Sequence, residues 1–151
     1  MNLYKKINTF ISFNRSMKGL LFEALFFLAV GRIFKLLPFI KSARLLGNHM
    51  EETSHSLKCL DKEVIKNISD AIHIMSRYTF WESQCLVKAV AGMKMLERRG
   101  MESTVYFGTA RDEKGDLIAH AWLRSGPYYV TGAEEMGKFI VVGKFAKTKK
   151  A

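Results

Sequence analysis

Cys85 and His120 are the residues of this chain whose types and surroundings best suit covalent chemistry. Cys85 lies in "WESQCLVKAVAGMKMLERRG" (81–100), near the expected start of a helix. Backbone N–H groups and the positive end of the helix dipole favour a thiolate there, and they can also stabilise the oxyanion of an acyl-transfer intermediate. A thiol nucleophile needs a base, and His120 in "LIAHAWLR" is the one histidine on a predicted strand. These facts alone leave open a Cys–His dyad and a pair of structural residues.

The helix that carries Cys85 is predicted from an apolar stripe and from end signals. The stripe comprises Leu86, Ala89, Val90, Met93 and Leu96. Thr79 with Glu82 fits a capping box, and Ser83 is a competing N-cap. With Ser83 as N-cap, Cys85 lies in the first turn and benefits fully from the dipole; with Thr79, it lies a turn deeper and benefits less.

Four strands are predicted after Gly100, where the apolar period changes from helical to alternating. They are "ESTVYFGTA" (102–110), "LIAHAWLR" (117–124), "YYVTG" (128–132) and "KFIVVGKF" (138–145). Alternation puts His120 and Trp122 on one face of the second strand. Since helix and sheet must pack together, we expect Cys85 and His120 to meet across that interface.

The first half of the chain reads as helical. Residues 17–47 are its most apolar segment, interrupted too early for a membrane span of about 20 residues, and Pro38 should end or kink the first helix. Two interpretations remain: a buried or partner-covered helical hairpin, and an interfacial helix with a basic face. Residues 51–77 show helical apolar spacing. The order predicts an α+β fold over 1–151 as a single domain, with a helical half at 17–77 and the Cys helix and antiparallel sheet at 79–145.

Charge and cysteine content limit the class of protein. The formal net charge is +10, concentrated near both ends, which fits solvated tails or attraction to an acidic peptide, partner protein, nucleic acid or membrane surface. The sequence has no helix-turn-helix, RNP-type motif or zinc spacing, so we expect no nucleic-acid partner. Cys59 and Cys85 form no disulfide framework, and no secretory signal is evident, so a cytoplasmic location is expected. His49, His55 and His73 have no metal-ligand spacing.

Three motifs together resemble a known enzyme family. They are "CLVKAVAGMKMLERRGM", "VYFGTARD" and "AHAWLRSG". This combination resembles the lasso-peptide leader peptidases, small transglutaminase-like, papain-related cysteine proteases of bacterial lasso-peptide biosynthesis. The similarity is strongest over 81–132, and the apolar N-terminal half is also similar to the family's.

The resemblance implies roles for the two residues. Cys85 would be the nucleophile and His120 the general base and acid. The reaction would hydrolyse an amide bond of a precursor peptide through an acyl-enzyme, freeing the core peptide's amino terminus for a separate lasso cyclase. This thiol chemistry needs no metal and no organic cofactor.

The family's third catalytic member, an aspartate on the strand after the histidine, has no counterpart at the expected position. A turn centred at 125–126 would set His120 opposite Thr131 or a near neighbour, where no carboxylate stands. The Thr131 hydroxyl or a backbone carbonyl could accept the imidazole N–H. Asp116 lies roughly 13 Å from His120 along an extended strand. Glu134 and Glu135 follow the strand and could fold back, so the third member stays open among Thr131, Asp116 and Glu134.

The resemblance also implies partners. Leader peptidases exist in fused and split forms, and this chain, with apolar helices in its N-terminal half, is expected to be the split form that acts with a separate leader-recognition protein. Residues 17–47 would then be a candidate docking surface. Two other functions are compatible with the sequence: a non-catalytic protein whose basic surface holds an acidic peptide or makes weak contact with a membrane, and acyl transfer or deamidation on the same fold.

Overall fold

In the described residues, the helical half of the chain consists of one long central helix and four others. The computed structural model describes residues 3–56 and 61–149. The helices are α1 (Leu3–Ser12), α2 (Arg15–Leu36), α3 (Phe39–Ala43), α4 (Lys62–Ser76) and α5 (Cys85–Glu97). Pro38 is the N-cap of α3 and separates it from α2, as its missing N–H and fixed φ predict. No helix in the described ranges is long and apolar enough to cross a membrane.

The other half is a five-stranded antiparallel sheet. Its strands are β1 (Asn48–His49), β2 (Ser103–Arg111), β3 (Leu117–Ser125), β4 (Tyr128–Thr131) and β5 (Ile140–Lys147), in the order β1-β5-β2-β3-β4. A 3₁₀ turn at Met136–Lys138 lies between β4 and β5. The predicted α+β class is confirmed, and β2 to β5 lie within a few residues of their predicted positions.

The core lies between one face of the sheet and helices α2, α4 and α5. Small residues let the layers approach closely: a Cβ added at Gly92 of α5 would lie 2.6 Å from Leu123 Cδ2, and one at Gly31 of α2 would lie 2.7 Å from the Val87 carbonyl oxygen. The fully buried members of this core include Leu28, Ile68, Ile72, Val90, Met93 and Leu123. The apolar surface of α2 is only partly buried. One face of the helix packs in the core, whereas Phe22, Phe26 and Ile33 on the rest of its surface are exposed.

The basic residues Lys5 and Lys6 lie on α1, none of whose residues is buried. One prediction about the N-terminal half is wrong. The helix predicted over 51–77 begins at Lys62, capped by Asp61, whereas residues 51–56 have no regular secondary structure. The reason is a distant side chain: Arg124 of β3 hydrogen-bonds to the carbonyl oxygens of Thr53 and Ser54. Residues 57–60, with Cys59, lie outside the described residues.

Candidate active site

Cys85 is the first residue of α5, one position nearer the helix start than Ser83 as N-cap would place it, and five positions nearer than Thr79 would. The N-cap is Gln84, whose extended backbone precedes the first turn and whose side chain makes no capping hydrogen bond. Thr79 and Ser83 do not cap α5, because their hydroxyls bond to each other at 2.8 Å. Glu82 forms ion pairs with Arg32 and Lys35 of α2 instead of a capping box.

The uncapped start of α5 leaves backbone donors for chemistry. The first intrahelical bond runs from the Lys88 N–H to the Gln84 carbonyl at 3.0 Å. The N–H groups of the residues before Lys88 have no partner within the helix, as at any helix start. With no capping side chain present, these donors and the dipole are free to act on negative charge at Cys85.

A cleft of about 460 Å³ brings Cys85 and His120 together. It is lined by His73, Gln84, Cys85, Lys88, Ala119, His120, Gly132, Glu134 and Glu135. In the part of the chain that the structure describes, no hydrogen bond joins the Cys85 thiol to the imidazole. Such bonds often form only once substrate is bound.

The cleft lies at an edge of the sheet, not across the helix–sheet interface where the two residues were expected to meet. Leu123 of β3 faces α5, whereas the His120 ring stacks on Trp122 of the opposite face, 5.8 Å between centroids. Consecutive strand residues point to opposite faces. A cleft lined by both Ala119 and His120 must therefore wrap around the edge of β3.

Among the residues that the structure describes, one hydrogen bond to a backbone carbonyl orients the imidazole. His120 Nε2 lies 2.8 Å from the Gly132 carbonyl oxygen, and Phe139 packs against the ring at 5.0 Å between centroids. A carbonyl can only accept, so Nε2 carries the hydrogen, and the neutral ring then keeps its lone pair on Nδ1. This tautomer makes Nδ1 the proton acceptor.

The three predicted candidates for the third group lie in different places. Thr131 is opposite Leu123, not His120, because the closing pair is Ser125–Tyr128 and an irregularity between Leu123 and Arg124 shifts the register. The Thr131 hydroxyl is buried and finds no hydrogen-bond partner among the described residues. Of the other predicted sites, Asp116 lies in the exposed β2–β3 turn, away from the residues that line the cleft, where its N–H bonds to Asp112.

Glu134 does line the cleft, but its nearest ionic partner there is His73 at 4.0 Å. The group that orients His120 is therefore the Gly132 carbonyl, one of the two kinds of acceptor that the sequence suggested.

His73 is a further residue that lines the cleft. Its Nδ1 bonds to the Ser69 carbonyl at 2.7 Å, and the Ser69 hydroxyl bonds to the Val130 carbonyl at 2.7 Å, which ties α4 to β4. The one available signal was the spacing of Ser69 and His73, one helical turn apart. Within residues 3–56 and 61–149, no group of three or more His, Cys, Asp or Glu side chains could hold a metal ion.

Comparisons with known proteins identify the family. Neither the curated proteins nor the solved structures give a match. The family model described as the transglutaminase-like superfamily matches residues 25–143, a range that runs from α2 into β5 and contains both Cys85 and His120. Because this match covers most of the chain, the protein belongs to the transglutaminase-like superfamily.

Proposed function

We propose that this protein is a cysteine peptidase in which Cys85 is the nucleophile and His120 the base. The observation that carries the proposal is the hydrogen bond from His120 Nε2 to the Gly132 carbonyl, in a cleft that Cys85 also lines. It leaves Nδ1 able to take a proton, while Cys85 stands at an uncapped helix start that favours a thiolate. Membership of the superfamily, whose members are typically cysteine peptidases or transferases, supports this chemistry.

The mechanism follows from these atoms. His120 Nδ1 accepts the thiol proton, and Sγ attacks the carbonyl carbon of the scissile amide. Negative charge on the carbonyl oxygen is stabilised by the free N–H groups in the first turn of α5. The imidazolium then protonates the leaving amine, and the C–N bond breaks to leave a thioester. Water, deprotonated by Nδ1, attacks the thioester, which releases the acid and restores the thiol.

The backbone carbonyl gives His120 a weaker partner than a carboxylate would. It fixes the tautomer and the ring orientation, but it carries no full negative charge to stabilise the imidazolium. We therefore propose a Cys–His dyad with a carbonyl as orienting group, in place of a triad with Thr131, Asp116 or Glu134.

The proposed substrate is the leader region of a lasso-peptide precursor. This rests on the similarity of the motifs around Cys85 and His120 to the leader peptidases. A separate leader-recognition protein would deliver the precursor, and a lasso cyclase would use the freed core peptide. The face of residues 17–47, where Phe22, Phe26 and Ile33 are exposed, is the proposed docking surface for the recognition protein.

The test is cleavage of a lasso precursor mixed with its recognition protein, followed by mass spectrometry. Wild type should yield free leader and core peptides, and Cys85→Ala should yield neither. Cleavage that survives this substitution would exclude the peptidase proposal. Glu113→Ala, in the exposed β2–β3 turn, is the matched control and should cleave like wild type.

Acyl transfer is the second candidate, favoured by the acidic wall of the cleft. Glu134 and Glu135 both line it and suit an incoming amine better than a neutral wall does. In that case an amine attacks the thioester in place of water. Adding a primary amine such as cadaverine to the assay distinguishes the two: amide-linked amine on the product indicates transfer, and free acid alone indicates hydrolysis.

A further inference from the structure

Helix α1 exposes all of its large apolar side chains. It has 10 residues, and none of them is buried. The exposed fractions of its large apolar residues run from 37% to 72%, for Leu3, Tyr4, Ile7, Phe10 and Ile11. A helix this short is marginal in water by itself, and packing of an apolar face normally stabilises it. The described residues of this chain do not provide that packing.

The apolar residues of α1 occupy two neighbouring rows of the helix surface. Leu3, Ile7 and Phe10 form one row at helical spacing, and Tyr4 and Ile11 form the next. The opposite face of the helix is polar and consists of Lys5, Asn8, Thr9 and Ser12. Two apolar rows beside a basic polar face are typical of a helix that lies flat in a membrane interface.

The body of the protein covers α1 only loosely. An apolar groove of about 500 Å³ lies between α1 and a wall that includes Leu21 of α2 and Ile74 and Met75 of α4. Tyr4 and Ile11 do not line this groove, and both are more than half exposed. Their row therefore faces solvent.

The charge around α1 is positive. Residues 3–22 contain no Asp or Glu and four basic residues, which are Lys5, Lys6, Arg15 and Lys18. The Lys18 Nζ lies 6.0 Å from the centre of the Phe10 ring. Positive charge thus lies directly beside the apolar rows.

Two acidic side chains line cavities beside the start of α2, and both are already paired. Glu23 is bound by Arg99 at 2.8 Å through both carboxylate oxygens. Asp70 is bound by Lys66 at 2.7 Å. The basic residues of 3–22 are therefore left to complement an anionic partner.

We propose that α1, together with Arg15 and Lys18, binds the surface of a bilayer that contains anionic lipid. The two apolar rows enter the boundary between headgroups and acyl chains, and the basic side chains contact the lipid phosphates. Protein interfaces are depleted in lysine, so the lysines beside these rows favour lipid over an acidic protein. This proposal goes beyond the peptidase activity and does not rest on it.

Membrane binding by α1 would bring the catalytic cleft close to the bilayer. A cavity of about 300 Å³ is lined by Phe13, at the joint of α1 and α2, and by His73, which also lines the cleft. A peptide adsorbed on the same lipid surface therefore lies near Cys85.

The test is co-sedimentation of the full chain with vesicles of phosphatidylcholine alone and of an equal mixture with phosphatidylglycerol. The mixed vesicles should bind the protein, and added salt should release it, because salt screens exposed charges. Binding to neither kind of vesicle, or equal binding to both, would overturn the proposal. Cys85→Ala should bind like wild type, so the result is independent of the peptidase proposal.

The charges are tested with a double variant. Lys5→Gln with Lys6→Gln should weaken binding to the mixed vesicles about 25-fold, since each lysine near an anionic surface contributes about fivefold. The matched control is Lys114→Gln with Lys138→Gln, which removes two exposed lysines from the sheet half of the chain. Equal losses for the two double variants would show that net charge alone drives binding, and would contradict a role for α1.

Ile11→Ser tests the apolar row that faces solvent. It should weaken binding about tenfold, because an isoleucine side chain no longer leaves water. Ile140→Ser is the matched control, since Ile140 is exposed on β5, and it should bind like wild type. Equal binding of the two serine variants would count against insertion of this row.

Tyr4→Trp locates α1 in the bilayer. Brominated lipid should quench its fluorescence more than that of wild type, whose Trp81 and Trp122 give the background. Bound protein without this extra quenching would overturn the placement of α1. So would a dimer in analytical ultracentrifugation that Ile11→Ser dissociates, because a second copy of the chain would then cover the apolar rows.

Discussion

His120 and Arg124 lie four residues apart on the same face of β3, with Trp122 between them, yet they are opposite kinds of polar site. Arg124 is 1% exposed. Its Nε donates to the Tyr106 hydroxyl, and its terminal nitrogens donate to backbone carbonyls and to the Thr104 hydroxyl. His120 makes one hydrogen bond to the described residues and faces a cleft. The arginine has no donor capacity to spare, whereas the histidine keeps one nitrogen for chemistry.

The surroundings of Arg124 make the contrast electrostatic as well. Glu52 lies 3.5 Å from its guanidinium, accepts from Lys144 Nζ at 2.8 Å and is hydrogen-bonded by the Tyr106 hydroxyl. The Lys144 hydrogen bond, with that of Tyr106, lowers the pKa of Glu52 to about 2. Burial, with the hydrogen bond to Glu52, raises the pKa of Tyr106 to about 12. Because the donors of Arg124 all have acceptors, this network holds residues 51–56 on the sheet. A catalytic base needs the opposite, a nitrogen that is not already hydrogen-bonded.

The largest expected effect is on the cleavage rate, when His120 is replaced. His120→Ala should lower the cleavage rate by about 10³-fold, within the range for loss of a general base, because no other described histidine is hydrogen-bonded to Gly132. Its free energy of unfolding in urea should change much less than that of an Arg124 variant. Single-turnover cleavage and urea titration on the same protein measure both quantities. A large stability loss with full activity would reverse the assignment of the two sites.

Arg124→Met should instead remove stability. It orphans the buried carbonyls that Arg124 bonds at Thr53 and Gly126, while Glu52 keeps its ion pair with Lys144, so we expect a loss of about 1–3 kcal/mol for each carbonyl in urea unfolding. Arg111→Met is the control, because that arginine is exposed and its change should stay within about 0.5 kcal/mol. Similar losses for the two variants would show that the network adds nothing to the fold.

Gly132→Ala should disturb the cleft by displacing the backbone of residue 132, whose carbonyl orients His120. Gly132 has φ +76°, and an added Cβ would lie 2.7 Å from the Ala121 carbonyl oxygen and 3.1 Å from His120 Nε2. We expect about 1–3 kcal/mol of destabilisation, with a lower cleavage rate as the carbonyl that orients the ring moves. Gly115→Ala has the same left-handed φ with nothing within 4 Å of the new Cβ. If both variants lose equal stability and activity, the crowding at Gly132 is unimportant.

The contrast also separates what the sequence could predict from what it could not. The strands and the Cys85 helix follow from local apolar spacing, so residues 117–124 and 85–97 were found almost in place. The 51–56 segment was assigned to a helix because its true partner, Arg124, is some seventy residues away. The Gly132 carbonyl could not be predicted for another reason. Every residue has a backbone carbonyl, and the one that lies beside His120 depends on the β3–β4 register, which shifts at an irregularity between Leu123 and Arg124.

The network around Arg124 should make the stability of the protein depend on pH in two ranges. The lowered pKa of Glu52 contributes stability that is present above about pH 4.5 and is lost as pH falls towards 2. The raised pKa of Tyr106 contributes stability that is present below about pH 10 and is lost as pH rises towards 12. Urea midpoints across both ranges should show two declining limbs. Glu52→Gln should flatten the acid limb and Tyr106→Phe the alkaline one.

Glu23 serves as the internal check on that experiment. The hydrogen bond from Arg99 lowers its pKa, so part of the acid limb should persist in Glu52→Gln. An acid limb that is unchanged by Glu52→Gln would assign it to Glu23 and the other carboxylates. That result would contradict the role given to the Arg124 network.

The smallest effect is expected at Thr131. Its substitution tests whether the Thr131 hydroxyl contributes to the catalytic site or to the stability of the fold. Its Oγ1 is buried and unpaired among the described residues, so Thr131→Val should raise stability by up to about 1 kcal/mol and leave the cleavage rate unchanged. Thr104→Val is the matched control, because the Thr104 hydroxyl accepts from the Thr53 N–H at 3.0 Å and its loss should cost about 1–3 kcal/mol. A Thr131→Val protein that folds normally but cleaves slowly would mean that the hydroxyl reaches the imidazole when substrate is bound. The orienting group of His120 would then be shared between Thr131 and the Gly132 carbonyl.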